Sequence, residues 1–202
     1  MQRILVDRVE HGYTSREISK LGMGGWSTSE LFFDDVWVPV ENLIIARGNA
    51  FEDTQRSLEN ARLFAAVFAN AISRAALDAA IAYAKERKQF GKPIGQHQMV
   101  QDLIATSATE LEAARLLTLR GFDLSDRGRP LAEAAAMAKH FATEAAVRIT
   151  HASMQVFGSY GLSKDFPVER HYRNARMFTV PDGTTQINKL IVARSILGMS
   201  AF

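Results

Sequence analysis

Apolar residues follow two different rhythms along this chain. Up to about residue 45 they form short runs: Ile4-Leu5-Val6, Leu31-Phe32-Phe33 and Val36-Trp37-Val38. Asp34-Asp35 parts the last two runs, and Pro39 closes the third. Gly12 and Gly22-Met23-Gly24-Gly25 supply turns. The runs predict strands, and so small a β segment cannot bury both faces without a partner sheet. After Gly48 the spacing changes to three and four residues. Leu58, Leu63, Val67, Ala71, Ala75 and Ala79 predict a helix over 51–86, with Gly91-Lys92-Pro93 as the interruption. Leu103, Ala108, Leu111, Leu116 and Leu119 predict a second helix over 96–126, stopped by Asp126-Arg127-Gly128-Arg129-Pro130. A third, over 130–157, is rich in alanine (Ala132, Ala134, Ala135, Ala136, Ala138), which favours helix and lets neighbours approach closely. Two shorter helices are predicted over 167–176 and 184–199. Long helices with short joins pack as an antiparallel bundle. The expected fold class is therefore mainly α: an antiparallel four-helix bundle over 46–202, preceded by a short β piece over 1–45.

Composition narrows the picture a little. A length of 202 residues is enough for one or two domains with a real core. The net charge of +2 and the 23% charged fraction are those of an ordered chain. With no cysteine there are no disulfides and no thiolate ligands, and the expected setting is cytoplasmic, or the mitochondrial matrix in a eukaryote. Met1-Gln2-Arg3 does not lead into a signal-peptide layout. No uninterrupted apolar run approaches the ~20 residues of a membrane span. Five scattered histidines show no zinc spacing. The basic, aromatic run Glu169-Arg170-His171-Tyr172-Arg173 reads as a solvated helix or subunit contact rather than a nucleic-acid surface.

Four places carry candidate chemistry, and each has a plain structural reading beside it. Asp182, in Pro181-Asp182-Gly183-Thr184, stands at the entrance to the last helix, where free N–H groups suit a phosphate or an ionised carboxylate. The plain reading makes it an N-cap. Arg87, in Glu86-Arg87-Lys88-Gln89-Phe90-Gly91-Lys92, is a phosphate-binding candidate because its fork is planar and always charged. Plainly read, it is the basic end of a helix with Gly91 as the stop. Gln155-x-x-Gly158-Ser159 would let backbone N–H groups reach a phosphate. Glu59 and Arg62 form an exposed i, i+3 pair in the plain reading.

Taken together and in order, these segments resemble the acyl-CoA dehydrogenase family. Its C-terminal signature, roughly Gln-x-x-Gly-Gly-x-Gly, Pro-Val-Glu-Arg, Arg-Asp-Ala-Arg, Tyr-Glu-Gly-Thr and Ala-Arg, is matched by Gln155-Val156-Phe157-Gly158-Ser159-Tyr160-Gly161, Pro167-Val168-Glu169-Arg170, Arg173-Asn174-Ala175-Arg176, Asp182-Gly183-Thr184 and Ala193-Arg194. Residues 20–43 resemble the last strands of the family's middle β-domain. The resemblance thus implies the carboxyl-terminal half of such an enzyme, without the amino-terminal helical domain. It implies FAD as cofactor, held by Arg87, Phe90, His97, Gln98, Gln155, Gly158 and Ser159, with Thr184 and Gln186 at the flavin. It implies an acyl-CoA thioester as substrate, with Glu59, Arg62, Gly183 and Arg194 on its side of the site. A homotetramer and an electron-transfer flavoprotein as acceptor follow from the same resemblance.

The family's base is a glutamate, and here its position holds Asp182. Some members place the base one residue before the arginine matched by Arg62, but that position is Ala61. The implied reaction is α,β-dehydrogenation with Asp182 as base. Two alternatives stand beside it: a flavin oxidase-type relative with an aspartate base, and a non-catalytic assembly module.

Overall fold

The computed structural model describes residues 2–44 and 50–201. The expected boundary at 45/46 lies outside the described residues. The chain forms two compact units, Met1–Leu58 and Glu59–Phe202.

In the first unit, helix α1 (Arg8–His11) is capped by the Asp7 side chain, which accepts from the N–H groups of Val9 and Glu10 at 2.7 and 3.0 Å. Strand β1 (Thr14–Glu17) pairs antiparallel with β2 (Ser29–Phe32), Thr14 opposite Phe32. Arg16 and Glu30 face each other across the pair at 2.6 Å. Two expected strands are not found. Ile4 makes only an isolated bridge to Leu43. Val36-Trp37-Val38 joins no ladder: Asp35 takes a left-handed φ of 45° that turns the chain out of β2, and Pro39 cannot donate. Thr14–Glu17 was invisible to the pattern because it is polar throughout. No strand residue of this unit is buried, and Val9 and Trp37 are 93% and 88% exposed.

The second unit is a helical bundle. Helix α2 (Ala50–Glu86) begins in the first unit and runs through the second. It is followed by a two-residue hairpin, β3 (Lys88–Gln89) with β4 (Lys92–Pro93), then α3 (Gln98–Asp126), α4 (Ala132–Phe157), α5 (Val168–Phe178) and α6 (Thr185–Leu197). Gly91 is not a helix stop. It shares the hairpin tip with Phe90, at φ values of 79° and 53°, and α2 has already ended at Glu86.

Helix α4 is the innermost element. Its Ala135, Ala138, Ala142 and Ala146 meet Leu63, Ala66 and Ala69 of α2, Ala114 of α3 and Ala175 of α5. Leu77, Leu111, Ala145 and Ile149 form the middle of the core. Ala80, Ala84, Val156, Phe157 and Val168 close one end, with Tyr83 stacked on Phe157 at 4.1 Å between ring centroids. Small side chains at the contacts let neighbouring helices approach closely. Gly121 belongs to this close packing: a Cβ there would fall 2.4 Å from Leu63 Cδ2.

The predicted helices exist within a few residues of their expected ends, but two expected stripes do not match the buried faces. Val67 is 39% exposed, and Ala71 and Ala75 are exposed. The buried face of α2 instead passes through Leu63, Ala66, Ala69, Ser73, Ala76, Ala80 and Ala84. A strict four-residue step rotates about 40° each time, so it leaves any one face within a few turns. On α3, Leu116 and Leu119 are 59% and 58% exposed, while Ser107, Leu111, Ala114, Thr118 and Gly121 are buried. By length and composition α2 would also suit a membrane; its Leu63, Ala66, Ala69, Leu77, Ala80 and Ala84 lie in the bundle core, while Phe64, Val67 and Phe68 are exposed.

Candidate functional site

The residues singled out in the sequence gather at two places. The first is the turn from α5 into α6. Thr184 is the N-cap of α6, its Oγ1 accepting from the N–H of Ile187 at 3.3 Å. Asp182 is therefore not the cap. It sits two residues earlier at φ 57°, followed by Gly183 at φ 96°. A left-handed conformation costs most residues with a Cβ about 1–2 kcal/mol; aspartate tolerates it better, and here the surrounding structure holds it.

Donors from three helices do so. Arg62 of α2, only 5% exposed, donates from Nε to the Asp182 carbonyl at 3.1 Å. Lys139 of α4, fully buried, donates from Nζ to the carbonyls of Thr179 at 3.1 Å and Gly183 at 2.7 Å. Asn188 of α6, also fully buried, donates from Nδ2 to Gly183 O at 2.7 Å and Thr184 O at 3.0 Å. Five residues along α4 from the lysine, Glu144 accepts from Thr185 Oγ1 at 2.5 Å. Among the described residues no hydrogen bond or ion pair engages the half-buried Asp182 carboxylate.

This end is also electrostatically loaded. Burial pulls the Lys139 ammonium down to about 8, against the pull of Asp182 and Glu144. Burial lowers Arg62 as well, with Glu59 and Asp182 acting to keep its charge. The expected exposed Glu59–Arg62 pair is not formed: Arg62 is buried and its Nε is engaged with the turn. Of the other expected residues, Gln186 is exposed in the first turn of α6 and Arg194 exposed in its last turn.

The second place is a groove of about 600 Å³ beyond the far end of α2. It is lined by Arg87, Phe90, His97, Gln155, Gly158 and Ser159, all expected together, and by Tyr83, Ile94, Phe157 and Tyr160. Gln98 opens α3 and lines an adjoining groove of about 530 Å³, which Gln155 shares. The Arg87 backbone is fixed by hydrogen bonds from its N–H to Tyr83 O at 2.9 Å and from the Ile94 N–H to its carbonyl at 2.8 Å. Its exposed guanidinium is engaged by no described residue. Phe90 is 91% exposed and edge-on to His97, with ring centroids 6.0 Å apart. Gly158 has φ 60° and ψ −134°, a region closed to residues with a Cβ. A Cβ there would touch nothing within 4 Å, so conformation and not space demands the glycine. Ser159 has no positive φ, so serine fits where a second glycine stood in the expected motif. A free guanidinium and backbone N–H groups uncovered by side chains are donors suited to a dinucleotide phosphate, and exposed aromatic rings are surfaces suited to a planar ring system; together they fit a flavin dinucleotide.

The two places are far apart. Arg62 and Arg87 are separated by 25 residues, or roughly 37 Å at helical rise. Sequence reasoning missed the residues that brace the turn, Lys139 and Asn188. For Lys139 a signal was present: it continues the spacing of Ala135, Ala138, Ala142 and Ala146, on the face that alanine marks as buried.

The chain matches the family described as acyl-CoA dehydrogenase, C-terminal domain, over residues 48–197. Cyclohexane-1-carbonyl-CoA dehydrogenase of Geobacter metallireducens is 41% identical over 182 residues, 90% of this chain and 48% of that protein. Among solved structures, the glutaryl-coenzyme A dehydrogenase–glutaryl-CoA complex matches with a TM-score of 0.93 at 40% identity, covering 98% of this chain and 50% of the other. A glutaryl-CoA dehydrogenase from Mycobacterium smegmatis in complex with FADH2 matches with a TM-score of 0.94 at 25% identity, covering 100% and 52%. The chain spans about half the length of the relatives it matches.

Proposed function

Since the chain belongs to the acyl-CoA dehydrogenase family through its C-terminal domain, we propose that it is the carboxyl-terminal half of an FAD-dependent enzyme that desaturates an acyl-CoA thioester between Cα and Cβ, with Asp182 as the base. One observation carries this reading. Among the described residues no hydrogen bond or ion pair ties up the Asp182 carboxylate, which feels the nearby charges of Arg62 and Lys139, while donors from the core hold the carbonyls of the turn beneath it. A carboxylate so mounted can take the α-proton of a thioester without first giving up a partner. The glutaryl-CoA and FADH2 complexes of its relatives support the substrate class and the cofactor.

Arg87 and the Gly158-Ser159 backbone hold the phosphates, Phe90 and His97 flank them, and Gln98 and Gln155 serve the adjoining groove. FAD, when bound, would supply the acceptor for the hydride that leaves Cβ. Thr184 and Gln186 at the other end lie by the base, with Glu59, Arg62, Gly183 and Arg194 on the acyl-CoA side. The ~37 Å between the ends along α2 supports an oligomer in which one copy lends its groove to the flavin served by another copy's Asp182, a homotetramer by the family resemblance. The same resemblance supports an electron-transfer flavoprotein as acceptor, and a chain without cysteine fits a cytoplasmic setting, or the mitochondrial matrix in a eukaryote.

The test is Asp182→Asn in the flavin-loaded enzyme that carries this chain. Asparagine keeps the shape and removes the basic site, so flavin reduction by acyl-CoA falls by ~100-fold or more, with FAD content unchanged. Reduction at a near-normal rate would remove Asp182 from the chemistry.

A further inference from the structure

We propose that Lys139 is a positioning residue for Asp182: from inside the bundle it clamps the carbonyls on either side of that residue and so fixes the backbone from which the carboxylate projects. The proposal rests on the reading of Asp182 as the base.

Lysine is almost never fully buried without a partner, yet Lys139 is 0% exposed on the alanine face of α4. Packing alone does not call for it, since methionine has a similar length and no charge to desolvate. What lysine adds is a point donor on a long stem. Its Nζ reaches Thr179 O, at the C-terminal cap of α5, and Gly183 O, just before the cap of α6. Thr179 O is a helix-end carbonyl with no partner further along its own helix, and a cation at that end is favoured. The two bonds therefore close the span from the end of α5 to the start of α6, and Asp182 lies inside that span.

Other groups reinforce the arrangement without replacing it. Arg62 holds only the Asp182 carbonyl, and Asn188 only those of Gly183 and Thr184. Among the described residues, Lys139 alone makes side-chain bonds to carbonyls on both sides of Asp182. The left-handed pair, Asp182 at φ 57° and Gly183 at φ 96°, is a conformation that aspartate and glycine tolerate but do not enforce, so the clamp is what selects it.

The experiment is a double-mutant cycle of Lys139→Met and Asp182→Asn in the flavin-loaded enzyme, read by single-turnover flavin reduction, acyl-CoA affinity and FAD content. Lys139→Met is expected to slow reduction about 100-fold, the effect of an ångström of misplacement, with acyl-CoA affinity and FAD content unchanged. In the Asp182→Asn background it is expected to add no further loss, because its effect passes through the carboxylate. Hydrogen exchange on the chain itself gives a readout apart from activity. The 179–188 segment is expected to exchange at least ten times faster in Lys139→Met, with α2 and α3 unchanged. If Lys139→Met fails to load flavin, Lys139→Gln, which keeps a shorter neutral donor, takes its place in the same cycle. Full-rate reduction in the single variant overturns the proposal, and so does an equal loss in both backgrounds. A slow Asp182→Asn beside a normal Lys139→Met refutes the clamp and leaves the base reading intact. A normal Asp182→Asn refutes the base reading itself.

Discussion

The two ends of α2 are built in opposite ways. At the Asp182 end, buried donors from α2, α4 and α6 hold the backbone of one turn. At the Arg87 end, the chemical groups face outward: Arg87 is exposed and unengaged, and Phe90 is 91% exposed on a hairpin tip. The backbone of the first end is held from within the chain, because buried donors engage the carbonyls of its turn. The second has its backbone fixed and its side chains unspent, as a surface does that something outside the chain completes. A single polypeptide can thus carry a finished half-site and an open one, and the two should respond separately to mutation.

The largest expected effect breaks the comparison at its braced end. Aspartate is one methylene shorter than the family's glutamate, and misplacement of about an ångström can cost ~100-fold in rate. Pro181, which fixes φ and removes a donor just before Asp182, stands where the family usually has tyrosine and can re-aim the turn. In Asp182→Glu, measured by stopped-flow flavin reduction, a slower enzyme means that the braced turn was shaped around aspartate. A faster one means that the bracing sets a handicap.

A second effect sharpens the same end through pH. The Lys139 ammonium lies at about 8 in the folded chain, against an ordinary value of 10.5. Below pH 8 both states are protonated, and folding carries the full cost of burying the charge. Between pH 8 and 10.5 the unfolded state binds the proton and the folded state does not, so stability rises with pH. Wild type should therefore gain on Lys139→Met over that window, by on the order of 3 kcal/mol. Urea unfolding of both proteins at pH 7 and pH 10 checks it, and parallel pH profiles would contradict it.

A third effect probes the open end. Arg87→Ala removes a charge-assisted contact worth about 1.5–3 kcal/mol. FAD affinity should fall by about 10- to 150-fold, measured by flavin fluorescence titration of the assembled enzyme. Flavin reduction at saturating FAD should stay within about twofold of wild type, because rim contacts bind ground and transition states alike. The smallest effect is Thr184→Ala, which deletes the α6 cap and costs about 1 kcal/mol of stability. Thermal unfolding should register that loss, with no change in the groove.

The helices were legible in the sequence because their cause is local. Periodicity, alanine content and Gly/Pro stops act within a few residues, and each predicted helix exists within a few residues of its expected ends. The groove was legible too. Arg87, Phe90, His97, Gln155, Gly158 and Ser159 belong to two short motifs that the bundle brings together. The β segment was less so. Thr14–Glu17 has no apolar alternation, and Val36-Trp37-Val38 has the composition of a strand but no neighbour.

By itself, then, the sequence determined where the chain is helical, where it turns, and which motifs line the groove. Only the tertiary structure decided which leucines are core and which are surface, since Leu116 and Leu63 look alike until the helix faces are set by neighbours. It also decided that Thr184 and not Asp182 caps α6, and that Arg62 and Lys139, 77 residues apart in the chain, hold the same turn. The physical reason is range. Periodicity and capping are fixed over a few residues, whereas a buried charge finds its carbonyl only after helices distant in sequence have packed.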